Sequence, residues 1–184
     1  MSNHYFGHPA ESMTMVGVTG TNGKTTTTFL IRSVLEQVTG KKVGLMGTNV
    51  NIVGDREFPA QRTTPESYEV FQLLAQMREA GCAYAVMEVS SHSLELDRVY
   101  GIEFDAAVFT NLSRDHLDFH QTMERYQAAK AKLFRMARWG LVNLDDPAGK
   151  TMMEQGTCTF QTYSAKDDNA DLVAKNINCL LYTS

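Results

Sequence analysis

Little in this chain ties it to an oxidising compartment, a membrane or a polyanion. Its three cysteines, Cys82, Cys158 and Cys179, are odd in number, widely spaced and without a C-x-x-C pair. That argues against both a disulfide framework and a zinc site, and suits a reducing cytosol. No run of 18 apolar residues occurs, and "MSNHYFGHPAESM" lacks a basic segment followed by an apolar core. The sequence therefore reads as having neither a membrane span nor a signal peptide. Net charge is only -4, which gives no overall pull toward nucleic acid or anionic lipid. An anionic ligand must be met by a few local cations and by backbone N–H groups. No internal repeat or low-complexity linker interrupts the 184 residues, of which 43% are apolar, enough for one globular domain with a core of its own.

Apolar runs alternate with helical patterns. "MTMVGV" reads as a strand, and "TTTTFLIRSVLEQVTG" as a helix with apolar positions at Phe29, Leu30, Val34 and Val38, capped by Gly40. "KVGLM" reads as a strand and "NIVGDREF" as a hairpin turning at Gly54-Asp55. In "TTPES", Thr64 caps a helix with Pro65 at its first position, running to about Ala80 and stopped by Gly81. "AYAVMEV", "FDAAVFTN", "GLVNL" and "CTFQTY" read as further strands, with a long helix over about 122–137 and a short one from near Pro147. "DLVAKNINCLLYTS" begins like one more strand. This alternation implies an α/β fold, a mostly parallel sheet flanked by helices.

Between the first strand and helix lies "GVTGTNGKTTTT". Small residues and glycines there let successive N–H groups converge on phosphate oxygens, and the following helix adds its positive N-terminus. Lys24 can reach terminal phosphates and Thr25 can offer a hydroxyl to Mg²⁺. The common pattern G-x-x-x-x-G-K-[ST] wants glycine at position 18, where Val18 stands, so the loop is a variant. Glu88 closes an apolar strand at the sheet edge where open parallel sheets bind ligands, and a carboxylate there can hold a metal. In "TNLSRDHLDFH", His116, Asp118 and His120 crowd one short turn after a strand, His116 being the strongest ligand candidate. Lys130 and Lys132 in "YQAAKAKLF" read as ordinary solvated lysines.

In this order, "GVTGTNGKTTT", "TTPES", "MEVSSHSLELDRV", "TNLSRDHLDFH" and "YQAAKAKLF" resemble the central domain of the Mur ligases, over about 5–178. "TTPES" with "EVSSH" is similar to the members that add the third residue of the peptidoglycan stem peptide. The resemblance accounts for Val18, because the family loop runs G-x-x-G-x-x-G-K-T and Gly17, Gly20 and Gly23 match it. It implies a P-loop NTPase-like domain at 13–184, stopped short of its completion, with 1–12 a junction from a preceding domain. It implies that Gly20, Thr21, Asn22, Gly23, Lys24, Thr25 and Thr26 cradle ATP, and that Thr25 and Glu88 hold Mg²⁺. Thr63, Thr64, Ser90 and Arg98 would bind UDP-N-acetylmuramoyl-dipeptide. Lys130 would be carbamylated by CO₂ and support a second Mg²⁺ beside His116, so that Lys24, Lys130 and His116 are the expected catalytic residues.

The implied enzyme is a cytoplasmic, ATP-dependent ligase that works through an acyl phosphate and adds diaminopimelate or lysine. The N- and C-terminal domains of such an enzyme lie outside these residues, so this stretch alone is expected to show no turnover. Two other readings share the loop. Folylpolyglutamate synthase fails at "TTPES" and "EVSSHS". A guanine-nucleotide switch would want N-K-x-D, and Leu112 stands where that lysine belongs.

Overall fold

The computed structural model describes residues 1–177. Along them run α1 (Ser2–Tyr5), a 3₁₀ turn (Pro9–Ser12), β1 (Thr14–Thr19), α2 (Lys24–Thr39), β2 (Val43–Met46), β3 (Val50–Val53) and β4 (Arg56–Pro59). Then follow α3 (Ser67–Glu79), β5 (Tyr84–Glu88), α4 (Ser91–Glu95), β6 (Phe104–Phe109), α5 (Leu117–His120) and α6 (Met123–Ala131). A 3₁₀ turn (Lys132–Arg135), β7 (Ala137–Asn143), α7 (Ala148–Gln155), β8 (Thr159–Ser164) and β9 (Leu172–Val173) complete the order.

The strands form one sheet in the order β4-β3-β2-β5-β1-β6-β7-β8-β9. Among the described residues only the pairs β2/β3 and β3/β4 are antiparallel, so the expected mostly parallel α/β sheet is present. β1 lies between β5 and β6, parallel to both. The chain thus steps outward in both directions from β1, and the C-terminal ends of β1, β5 and β6 open together at a switch point, where such sheets bind ligands.

The two faces of the sheet are unequal. One carries the main core, with Met15, Phe71, Leu74, Met87, Phe104, Phe109, Leu133 and Phe134 packed together. On the other, Val16, Val43 and Val86 cluster under Ile31 and Leu35 of α2. The expected helix is α2, capped by Gly40, but Leu30, Val34 and Val38 of its apolar stripe are 61%, 56% and 78% exposed. The loop fixes how α2 leaves β1, so the rotation of the helix places Thr28, Ile31 and Leu35 inward, and the i, i+4, i+8 stripe from Leu30 points away.

Two more expectations shift. Glu66 is the residue before α3, paired reciprocally with Glu69, and Thr64 is not its cap. The long helix over 122–137 ends at Ala131, and a 3₁₀ turn follows. Leu133 and Phe134 are adjacent and both fully buried, and the tighter winding lets consecutive side chains enter the core. The hairpin turns at Gly54 as expected, with Val53 opposite Arg56 and Gly54 at φ +59. The short helices α1, α4 and α5 have no counterpart in the sequence reading. Residues expected as a junction dock on α3, where Arg78 donates to the Phe6 and Gly7 carbonyls at 3.3 and 3.0 Å. Of the last strand-like run, β9 pairs with β8, and 178–184 lie outside the described residues.

Candidate functional site

At the end of β1 the chain turns through Gly20 and Gly23, at φ +149 and +82, into α2. A side chain on Gly20 would strike the Thr110 hydroxyl, so glycine there permits the loop to lie against the end of β6. The segment after β6 braces it. Thr21 N donates to Asn111 O at 2.8 Å, and Asn22 N to Asn111 Oδ1 at 3.0 Å. In return Thr110 Oγ1 and Asn111 Nδ2 donate to Asn22 O, at 2.7 and 3.0 Å. Lys24 folds back onto the loop, its Nζ donating to Gly20 O at 3.0 Å and Thr21 O at 2.8 Å. Burial pushes its ammonium below the usual lysine range, partly offset by Glu88 and Asp115. Thr26 is exposed on the first turn of α2.

Glu88 ends β5 beside Val18 of β1 and is almost wholly buried. Thr25 Oγ1 donates to its Oε1 at 2.9 Å. Thr48 donates twice, N to Oε1 at 2.8 Å and Oγ1 to Oε2 at 2.9 Å, and Thr63 Oγ1 lies 3.0 Å from that same hydroxyl. A Cβ on Gly47 would fall 2.5 Å from Glu88 Oε1. The site thus places the hydroxyl of Thr25 and the carboxylate of Glu88 together beneath the loop.

Thr64 turns inward, where its hydroxyl donates to Glu88 O at 2.8 Å and accepts from Ser90 N at 3.0 Å. This is why it does not cap α3: the ends of two segments need it. The Ser90 hydroxyl caps α4 by accepting from Ser93 N. Arg98 reaches the same place, donating to Thr64 O at 3.2 Å and pairing with Glu66 at 2.8 Å. The four expected substrate residues therefore form one connected patch beside Glu88.

The reading of Lys130 and Lys132 as two solvated lysines is corrected for the first. Lys130 is 1% exposed, with Nζ donating to Gly20 O at 2.9 Å and lying 4.4 Å from the Tyr126 ring centre. Burial, reinforced by Lys24 and opposed by Asp115, lowers its pKa to about 7. Lys132 is partly exposed, its side chain at 38%, and pairs with Glu95 at 2.8 Å. It opens the 3₁₀ turn after α6, so the two lysines face different surroundings.

His116 lies at φ +52 at the start of α5, with its side chain 47% exposed and 3.4 Å from Asp115. Its ring meets His92 and Tyr126 edge-on, at 4.9 and 6.0 Å between centres. Buried His120 shares a 2.9 Å hydrogen bond with Ser91, and burial lowers its pKa; Asp118 is exposed. Among the described residues no three His, Cys, Asp or Glu side chains group as a metal cage. The hard oxygen pair of Thr25 and Glu88 still suits Mg²⁺, which keeps waters and takes phosphate oxygens in place of a protein cage.

Gly47, Thr48, Thr110, Asn111, His92 and Tyr126 were not singled out from the sequence. Asn111 could have been, because it ends the strand beside the loop in "TNLSRDH". Thr48 gives no such signal, since its position depends on how β2 pairs with β5.

The Mur ligase middle domain model matches residues 18–181. A curated relative from Clostridium perfringens, UDP-N-acetylmuramoyl-L-alanyl-D-glutamate--2,6-diaminopimelate ligase, is 52% identical over 92% of the chain and 36% of its own length. A solved structure of a ligase with that name is 34% identical, with a TM-score of 0.77, over 88% of this chain and 34% of its own. The Escherichia coli FolC structure with DHPP and ADP is 20% identical at a TM-score of 0.62, covering 88% of this chain and 46% of its own, a likeness of fold alone. The chain spans about a third of the length of the curated relatives it matches. With a family model covering nearly all of it, the chain belongs to the Mur ligase family, as a middle domain.

Proposed function

We propose that this chain is the ATP-binding domain of a cytoplasmic ligase that joins an amino acid to UDP-N-acetylmuramoyl-L-alanyl-D-glutamate. Under that reading 1–12 lead in from a substrate-gripping domain, and a further domain brings the amino acid. The observation that carries the proposal is the Thr25 hydroxyl bonded to buried Glu88 beneath a glycine loop whose Gly20 carbonyl also holds Lys130. Relatives named for diaminopimelate, from 39% to 52% identical, favour that amino acid over lysine.

Gly20 to Thr26 bind the phosphates of ATP through backbone N–H groups and the start of α2. Lys24 leaves the loop carbonyls and meets the terminal phosphates. Thr25 and Glu88 would hold Mg²⁺, whose charge would offset that of the phosphates. Thr63, Thr64, Ser90 and Arg98 orient the muramoyl-dipeptide so that its terminal carboxylate attacks the γ-phosphorus. The bond to ADP breaks and an acyl phosphate forms. The incoming amine then attacks the acyl carbon, phosphate leaves, and the nitrogen loses a proton to give the amide.

Lys130 is suited to carbamylation because a pKa near 7 leaves much of its amine neutral, and only the neutral nitrogen bonds to the carbon of CO₂. The product is an anion, which would face a second Mg²⁺ beside His116, whereas an ammonium has no lone pair to offer. Incubating the full-length protein with ATP, Mg²⁺, UDP-muramoyl-dipeptide and either amino acid tests the whole. Tripeptide product with stoichiometric ADP supports it, and hydroxylamine should trap the acyl phosphate. ATP binding without product from either amino acid would contradict it.

A further inference from the structure

Tyr126 lies four residues before Lys130 on α6, so helical spacing stacks the two side chains. Its residue is fully buried, yet its hydroxyl reaches Thr21 Oγ1 of the phosphate loop at 3.1 Å. Thr21 Oγ1 also lies 3.2 Å from Ser113 O and accepts from Ser113 N at 3.0 Å. The two hydroxyls thus share one hydrogen bond, in which either can donate. Its ring lies 4.4 Å from Lys130 Nζ, and its centre is 6.0 Å from that of His116.

One buried side chain thus touches the loop, the buried lysine and the histidine of the proposed catalytic set. A phenylalanine would fill the same core volume, and the added hydroxyl finds its partner on the nucleotide loop. We infer that Tyr126 is a positioning residue, whose hydroxyl fixes the phosphate loop at Thr21 and whose ring seats the Lys130 nitrogen against it. The inference rests on the proposed function for the identity of the ligand. It adds that loop and lysine are held in register by one buried side chain.

Tyr126→Phe removes the hydroxyl and keeps the ring. In the full-length protein, titrated calorimetrically with ADP and Mg²⁺, it should raise the dissociation constant about 2- to 10-fold, the effect of one neutral hydrogen bond. Its ¹³C carbamate signal in ¹³C-bicarbonate should match the parent's. Tyr126→Leu removes the ring as well, and should weaken both the nucleotide affinity and the carbamate signal. An unchanged ADP affinity in Tyr126→Phe, with or without a lower denaturation midpoint, overturns the inference and leaves the residue a core filler. An undiminished carbamate in folded Tyr126→Leu overturns the role of the ring. If the parent itself carries no carbamate, the reading of Lys130 fails, and ADP affinity in Tyr126→Phe alone decides the role of Tyr126.

Discussion

At the end of the site against the sheet, Thr25, Thr48 and Thr64 converge on Glu88, and Lys130 is enclosed between Gly20 and Tyr126. At the other end His116 stands half exposed in left-handed backbone, with an exposed aspartate beside it. The first end is made of groups whose charge must stay in one place. Their burial demands partners, and the partners supply the rigidity. The second end faces solvent, and its groups are held by ring-edge contacts and one exposed aspartate. The same division separates Lys130, near the end of α6, from Lys132, which opens the 3₁₀ turn after it.

The largest effect should come from exchanging those two lysines for alanine in the full-length protein. Lys130→Ala should lower turnover by more than the roughly 10- to 100-fold that losing a partner behind a metal ligand costs, and short carboxylates should restore part of it. Lys132→Ala should change turnover less than about twofold, since an exposed ion pair contributes little. Comparable losses in the two variants, measured as initial rates, would erase the distinction.

Glu88→Gln keeps the shape and removes the charge on which three donors converge. Hydrogen bonds to charged groups contribute about 1.5–3 kcal/mol, so Mg²⁺-ATP affinity should fall about 10- to 150-fold in a calorimetric titration. Unchanged affinity would place the metal elsewhere. Arg98→Ala should weaken UDP-muramoyl-dipeptide binding about tenfold, on the same hydrogen-bond scale, and leave ATP alone. Part of that loss arises indirectly, because Arg98 also holds the Thr64 carbonyl and Glu66. A loss of ATP affinity with the sugar substrate unaffected would contradict the division of the site.

A smaller effect separates the ends by pH. Folding lowers the Lys130 pKa to about 7, while the unfolded chain keeps its proton up to the ordinary lysine range. Between those values the unfolded state binds more protons, so this residue's contribution to stability rises with pH. In CO₂-free buffer Lys130→Met should be more stable than the parent at pH 6, by a margin that narrows toward pH 10. A margin independent of pH, by urea denaturation, would show that Lys130 does not titrate there.

How far the sequence could be read follows from what sets each feature. The phosphate loop was legible because glycines, Lys24 and Thr25 act at fixed local spacing after an apolar strand. The parallel sheet followed from alternating patterns. Thr64 was read as a helix cap because its neighbours look like a helix start, whereas a tertiary demand from Glu88 and Ser90 takes its hydroxyl. The apolar stripe of α2 was legible, but not that it points outward, because periodicity gives a face and not its direction. Lys130 could be valued only through the family resemblance, since its burial arises from α6 lying against a loop about 110 residues earlier.

The central claim is that the enclosed lysine is the modified one. The direct measurement is ¹³C nuclear magnetic resonance of the full-length protein equilibrated with ¹³C-bicarbonate, alongside Lys130→Ala and Lys132→Ala. One carbamate resonance should appear in the parent, persist in Lys132→Ala and vanish in Lys130→Ala. A resonance that survives in Lys130→Ala, or none in the parent, would contradict the account.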